Sequence, residues 1–184
     1  MDKGALMYRR YLDGDESALE EIIDLYRRSL TLFINRYLRD YELSEDLAID
    51  IFACLIVSPD RYDFRVSLKT YLFMLARSRA IDRLRHDRVL HFADRECEEL
   101  ESIPDPDSLY DVIESDEIKR AVWGAMKNLP DDMRTVVYLV YIESMTYDEA
   151  AKIMKKNRKQ IDNLLYRAKG KLREILGEKG RSLL

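Results

Sequence analysis

The 184-residue chain is poor in everything that cross-links or turns a loop-rich protein: two cysteines, two histidines, six glycines and four prolines. So few glycines and prolines do not turn the corners of a sandwich or barrel, and the composition points to helices. Cys54 and Cys97 make neither a disulfide framework nor a metal-ligand spacing. Cys54 lies in an apolar run and reads as a small core residue, while Cys97 sits in an acidic segment. His86 and His91 lack cysteine or acidic partners at ligand spacing and read as surface residues. No apolar run approaches the roughly 18 residues expected of a membrane span, and the opening M-D-K-G-A-L-M-Y-R-R has no signal-peptide core. The expectation is a cytoplasmic protein without membrane insertion. Gly-rich phosphate loops, Ser/His/Asp constellations and metal clusters are also missing, which predicts no catalysis, no cofactor and no metal.

What is present is an uneven charge. The net −4 divides into −1 over Met1–Ala93, −10 over Asp94–Ile118 and +7 over Lys119–Leu184. A basic C-terminal unit behind an acidic segment is a layout for binding a polyanion, which the whole-chain average conceals.

Apolar spacing predicts a short helix over Lys3–Leu12, closed by Asp13-Gly14-Asp15, and a long one from Ser17 to about Arg39. Ser44 reads as the cap of a third helix with Glu45 and Asp46 in its first turn. That helix has two apolar stripes, Leu47, Ile51, Cys54 and Leu55 beside Ala48, Phe52 and Ile56. It is therefore expected to be buried on two sides and central to its domain, with Asp46 and Asp50 as its polar edge. Arg61-Tyr62-Asp63-Phe64-Arg65 follows as an aromatic and basic loop, and Ser67 reads as the cap of a helix running to about Arg88. The arginines of that helix form no single stripe. Asp82 stands three residues from both Arg79 and Arg85, so a surface decorated with ion pairs is one reading of them.

Asp94–Asp107 has no apolar period, and Ile103-Pro104-Asp105-Pro106 breaks any helix, so 94–107 reads as a flexible acidic linker between domains 1–93 and 108–184. Its roughly 15 residues reach about 50 Å at about 3.3 Å per residue. Beyond it, a helix is expected from Ser108 to Leu129, stopped by Pro130, and another from Asp131 to about Glu143. Thr146 with Glu149 then forms a capping box, and Asn157 with Gln160 repeats the signal. The last helix aligns Ile161, Leu164, Leu165, Ala168, Leu172, Ile175 and Leu176 on one side, opposite Arg158, Lys159, Asp162, Asn163, Tyr166 and Lys169. A short capped helix, a turn and a longer half-polar helix is the layout of a helix-turn-helix that enters the DNA major groove. Periodicity alone leaves an antiparallel bundle hairpin equally open. The fold expected is all-α: two small helical domains joined by a flexible acidic linker, the C-terminal one a helix-turn-helix.

Two stretches together resemble the extracytoplasmic-function (ECF) sigma factors of bacterial RNA polymerase. S-L-K-T-Y-L-F-M-L-A-R-S-R-A-I-D-R-L-R (Ser67–Arg85), preceded by E-D-L-A-I-D-I-F (Glu45–Phe52), is similar to the family's region 2, which binds the polymerase clamp helices and melts the −10 element. L-P-D-D-M-R-T-V-V-Y-L-V-Y-I-E-S-M-T-Y-D-E-A-A, running into N-L-L-Y-R-A-K-G-K-L-R-E-I-L, is similar to region 4, which reads the −35 element and docks on the polymerase flap. The resemblance covers nearly the whole chain in the family's order. It implies a sigma factor that directs core polymerase to promoters, with core polymerase and promoter DNA as partners and, as often in the family, an anti-sigma factor.

Carried over by position, the resemblance puts Asp46 and Asp50 against the clamp. It puts the loop with Arg61, Tyr62, Phe64, Arg65 and Ser67 where a flipped non-template base is captured, which suits aromatic and cationic side chains. Lys69, Arg77, Arg79, Arg83 and Arg85 follow the opened strand, and Arg158, Lys159, Gln160, Asn163, Tyr166 and Arg167 face the −35 duplex. Promoter elements about 17 base pairs apart stand roughly 58 Å apart at 3.4 Å per step, a span for the linker plus two domain widths. Ile49 stands where the family often has Gln, and Tyr71 where it often has Trp. Q-I-D-N-L (Gln160–Leu164) replaces the common T-V-K-S-R, so Asp162 removes a cation and adds a carboxylate that either accepts from a cytosine amino group or repels the DNA backbone. Two other functions use the same features: a DNA-binding regulator that needs no polymerase, and a helical interaction module whose basic clusters are solvated faces.

Overall fold

A computed structural model describes residues 2–93, 124–126 and 128–176, with side-chain surroundings through 87 in the first stretch. The expected linker, Cys97, most of the helix expected from Ser108, and the side chains of Arg88 and His91 lie outside the described residues. Among the described residues the secondary structure is helical, without strands. The chain divides into two compact units, Met1–Tyr110 and Asp111–Leu184.

In the first unit, α1 (Lys3–Leu12), α2 (Ser17–Leu38), α3 (Tyr41–Val57) and α4 (Leu68–Ala93) form a bundle, with a 3-10 turn at Pro59–Arg61. α2 packs against each of the other three. Ile22, Leu30, Phe33 and Ile34 on α2 are fully buried, and the Phe33 ring meets Phe73 of α4 at 4.9 Å between centroids. The central helix is therefore α2 and not α3, a correction with a plain cause. A helix apolar on every side reports no phase, and the position in this unit that is covered on several sides is taken by α2. Only Ser44, Ala48, Ile51, Phe52 and Leu55 of α3 are buried, and Ile56 lies outside.

The start of α3 also differs from expectation. Asp40 caps it, its carboxylate accepting from Leu43 N at 3.0 Å. Ser44 lies one turn inside, its hydroxyl donating back to the Asp40 carbonyl, a bond Ser makes equally well within a helix. Ser67 does cap α4, accepting from Thr70 N at 3.1 Å, and α4 continues past Arg88 to Ala93.

In the second unit, α5 (Asp131–Val137) opens into a π turn over Tyr138–Ile142, and α6 (Tyr147–Met154) and α7 (Arg158–Leu176) follow. The uniform α-helix expected to Glu143 thus widens after Val137, with Glu143 N donating to Tyr138 O at 3.0 Å. The wider turn keeps Tyr138 and Leu139 in the core while Tyr141 and Ile142 come to the surface. Arg134 ties α5 to the helical turn before Pro130. Its Nη2 donates to Leu129 O at 2.8 Å and its Nε to Met126 O at 3.2 Å. Those carbonyls close a helix end, where Met126 O also accepts from Leu129 N at 3.1 Å. Arg134→Ala is expected to destabilise this unit by about 2 kcal/mol, the scale of hydrogen bonds to a charged donor lost beside partly buried carbonyls. A urea titration that gives an unchanged midpoint would refute this.

Candidate nucleic-acid interface

The helix-turn-helix is built from its caps outward. Thr146 N donates to Glu149 Oε2 at 2.9 Å, and Glu149 N donates to Thr146 Oγ1 at 3.3 Å, so α6 begins with a full capping box. α6 ends on Lys155 in the left-handed conformation, with Lys156 N donating to Ala151 O at 2.9 Å. α7 begins with a second reciprocal pair, Asn157 N to Gln160 Oε1 and Gln160 N to Asn157 Oδ1, both 2.9 Å. Ala150 and Ala151 are buried and small enough for α7 to approach closely, and Lys156 Nζ reaches Asp132 at 3.0 Å to tie the turn to α5.

This frame turns Ile161, Leu165, Ala168 and Leu172 inward and leaves Arg158, Lys159, Asp162, Asn163, Tyr166 and Arg167 outside. Tyr166 is 81% exposed, an aromatic side chain held in water. Ile175, expected on the apolar side, is exposed near the end of α7. Gln160 is both an exposed residue and a cap, so its carbonyl oxygen is committed to the backbone of Asn157. Tyr147, Arg158, Lys159 and Asp162 line an open groove between the start of α6 and the first turns of α7. Arg158 Nη1 bonds to Asp148 at 3.1 Å, which fixes the direction of its guanidinium. Sequence reasoning missed Tyr147 and Asp148, because only the fold brings them to the side of Arg158.

In the first unit the candidates divide into two groups. One is a stripe on α3: Asp46, Ile49, Asp50, Ala53, Ile56 and Val57 all face solvent at helical spacing. Ile49, Ile56 and Val57 are 50%, 47% and 79% exposed. An apolar stripe edged by carboxylates and left open to water is a surface for a partner.

The second group is the loop and α4. Arg61 and Arg65 are exposed, and Asp63 holds Arg65 through its backbone N at 3.1 Å and its Nε at 3.2 Å. Phe64 is half-buried with φ 61°, rare for a bulky residue. Tyr62, expected among the base-stacking aromatics, is 3% exposed. Its ring is packed between Tyr8, Phe64 and Tyr71, at 5.7, 4.6 and 5.1 Å, and its hydroxyl donates to Val66 O at 2.8 Å. Burial, with Asp2 adding to it, pushes its phenol well above the ordinary range. Tyr62 therefore supports the loop from below. Lys69 lies over the Phe73 ring, and Ser67 serves as the cap already described.

Arg79, Arg83 and Arg85 of α4 have separate partners. Arg83 bonds to Asp87 at 3.1 Å and Arg85 to Asp82 at 3.5 Å, both pairs exposed. Arg79 turns to α3 and not to Asp82: its guanidinium contacts Cys54 Sγ and lies 4.0 Å from Asp50. Arg77 is half-buried, its Nε sealed from solvent without a hydrogen-bond partner. Among the described residues, no helix is long and apolar enough to cross a membrane, and no three His, Cys, Asp or Glu side chains gather as a metal site.

Comparison with known proteins gives these surfaces a common frame. Residues 22–89 match the family model for Sigma-70 region 2, and residues 119–172 match that for Sigma-70, region 4. SigW of Bacillus subtilis (strain 168), named an ECF RNA polymerase sigma factor, is 25% identical over 170 residues, covering 89% of this chain and 91% of the relative. CarQ of Myxococcus xanthus, named an RNA polymerase sigma factor, is 29% identical over 171 residues, covering 92% and 95%. Two solved structures share the fold. Sigma factor RpoE of Bartonella quintana, in complex with the anti-sigma factor NepR, gives a TM-score of 0.64 at 20% identity, covering 86% of this chain and 96% of that one. CnrH, in complex with the cytosolic domain of CnrY, gives 0.65 at 18%, covering 95% and 97%. With regions 2 and 4 both matched in order, and relatives named for the same role along nearly its whole length, the chain belongs to the ECF sigma factors of the sigma-70 family.

Proposed function

We propose that this sigma factor divides its work among three surfaces. The α3 stripe binds the clamp of core polymerase, with Asp46 and Asp50 facing basic groups there. The loop from Arg61 to Ser67 and the α4 cations Lys69, Arg77, Arg79, Arg83 and Arg85 hold the opened −10 strand. The outer face of α7, with Arg158, Lys159, Gln160, Asn163, Tyr166 and Arg167, reads the −35 duplex. The domain limits that fit this division are 1–93 and 108–184, with 94–107 as linker. The protein does no chemistry of its own and acts in the cytoplasm beside the polymerase. An anti-sigma factor is a further partner: the RpoE structure of the same fold carries one, and the open apolar stripe of α3 is a surface for it to cover.

The observation that carries this reading is the α3 stripe. A stand-alone DNA-binding regulator needs the helix-turn-helix and has no use for an exposed Ile49, Ala53, Ile56 and Val57 beside two carboxylates. Adding the purified chain to sigma-free core polymerase and a panel of genomic fragments is expected to yield promoter-specific transcripts. No transcripts, together with a sequence-specific footprint by the chain alone, would replace this reading with that of a regulator.

A further inference from the structure

The helix α1 lies outside the segment matched to region 2, yet the base of the loop is built on it. One carboxylate, that of Asp2, accepts from Gly4 N and from Leu68 N, both at 2.8 Å, and so caps α1 and touches the start of α4 together. Gly4 permits the close approach. A Cβ there would collide with the Tyr26 hydroxyl and stand 3.1 Å from the Leu68 Cβ. One turn on, the buried Tyr8 hydroxyl donates to Leu55 O at 2.8 Å, and its ring meets Tyr62 at 5.7 Å and Phe64 at 6.1 Å. Arg9, exposed and without an ion pair among the described residues, lays its guanidinium carbon 4.9 Å above the Phe64 ring centroid. The left-handed backbone at Phe64 costs free energy that the surrounding contacts offset, a pattern concentrated at functional sites.

We propose that α1 forms one wall of the single-strand site: Arg9 stacked on Phe64 contacts an unpaired base, and Asp2 and Tyr8 are positioning residues that hold the loop beneath it. This rests on the reading of the loop as a strand site. A flat guanidinium over an aromatic ring is a surface on which a base stacks, and the exposed Arg61 and Arg65 lie on the same loop to meet the neighbouring phosphates. Tyr62 is enclosed and offers no such face; the Arg9–Phe64 pair does.

The experiment uses the chain assembled with core polymerase and fluorescent single-stranded oligonucleotides of the −10 non-template strand that differ at one base. The native chain is expected to prefer one base at the captured position. Arg9→Ala is expected to lower affinity for the preferred strand by about five-fold and to narrow the preference, with melting temperature and core binding unchanged and partial recovery in Arg9→Lys. Tyr8→Phe keeps the ring and loses the tie to Leu55, and is expected to narrow the preference as well. A preference that survives both Arg9→Ala and Tyr8→Phe overturns the role of α1 alone. A native complex without any single-base preference overturns the strand-site reading of the loop and this inference with it.

Discussion

Ile56→Lys is expected to weaken binding to core polymerase by about 100-fold, close to 3 kcal/mol, while the chain stays folded. Ile56 is 47% exposed on the outer side of α3, in one stripe with Ile49, Ala53 and Val57. Burying an isoleucine side chain against a partner is worth about 1.5–3 kcal/mol, so removing its apolar end accounts for much of the loss. The introduced ammonium adds to it. The carboxylates of Asp46 and Asp50 predict a basic surface opposite, and a buried, unpaired like charge is costly. In the free protein the change is mild, because lysine is a good helix former, and a cation near the C-terminal end of α3 meets the negative end of the helix dipole. Titration of labelled core polymerase with native and Ile56→Lys chains of equal melting temperature measures the effect. Equal affinities would remove α3 from the interface, and Ile56→Ala should fall between the two.

The caps of α6 and α7 were legible in the sequence because their chemistry is local, whereas at α3 the cap is Asp40 and not the expected Ser44. Thr146 with Glu149 and Asn157 with Gln160 each stand one turn apart, and both pairs bond as their spacing requires. The buried side of α7 was legible for the same reason, since a half-polar helix states its phase. α3 does not. With apolar residues all around, its exposed side depends on where α2 and α4 pack, and that is decided by residues far along the chain. Arg79 makes the same point for charge: Asp82 is nearer in sequence, but the fold offers Asp50 and Cys54. Tyr62 looked like a surface aromatic because the helix that encloses it lies about fifty residues earlier. The π turn at Tyr138–Ile142 has no local signature, and it is this turn that brings Tyr141 outward, where Lys169 lies 5.3 Å over its ring. Local rules thus reach the caps of α6 and α7 and the buried side of α7, while the loop and the α3 stripe are products of packing.

The enclosed tyrosines lead to the second large effect, a loss of fold in the N-terminal unit at alkaline pH. Burial raises the phenols of Tyr8 and Tyr26 to about 12, with Tyr11 adding at Tyr8 and Asp2 adding at Tyr26, and pushes Tyr62 up as well. In the unfolded chain a phenol ionises near 10. A folded value above the unfolded one means that the native state holds its proton longer. The stability contributed is complete below about pH 10 and is lost as pH rises toward 12. Each such phenol contributes a slope of up to about 1.4 kcal/mol per pH unit, so Tyr8 and Tyr26 together remove on the order of 5 kcal/mol across that window. That is comparable to the whole stability of a small domain. Circular dichroism is expected to show helix lost between about pH 10 and 12, together with a cooperative rise in tyrosinate absorbance. Tyr26→Phe removes one titrating group and should lower the steepness by about one proton. Phenols that ionise one by one near pH 10 with the helices intact would show that Tyr8, Tyr26 and Tyr62 are open to solvent. The support they give to the loop, and with it the platform of Arg9 on Phe64, would then have no physical basis.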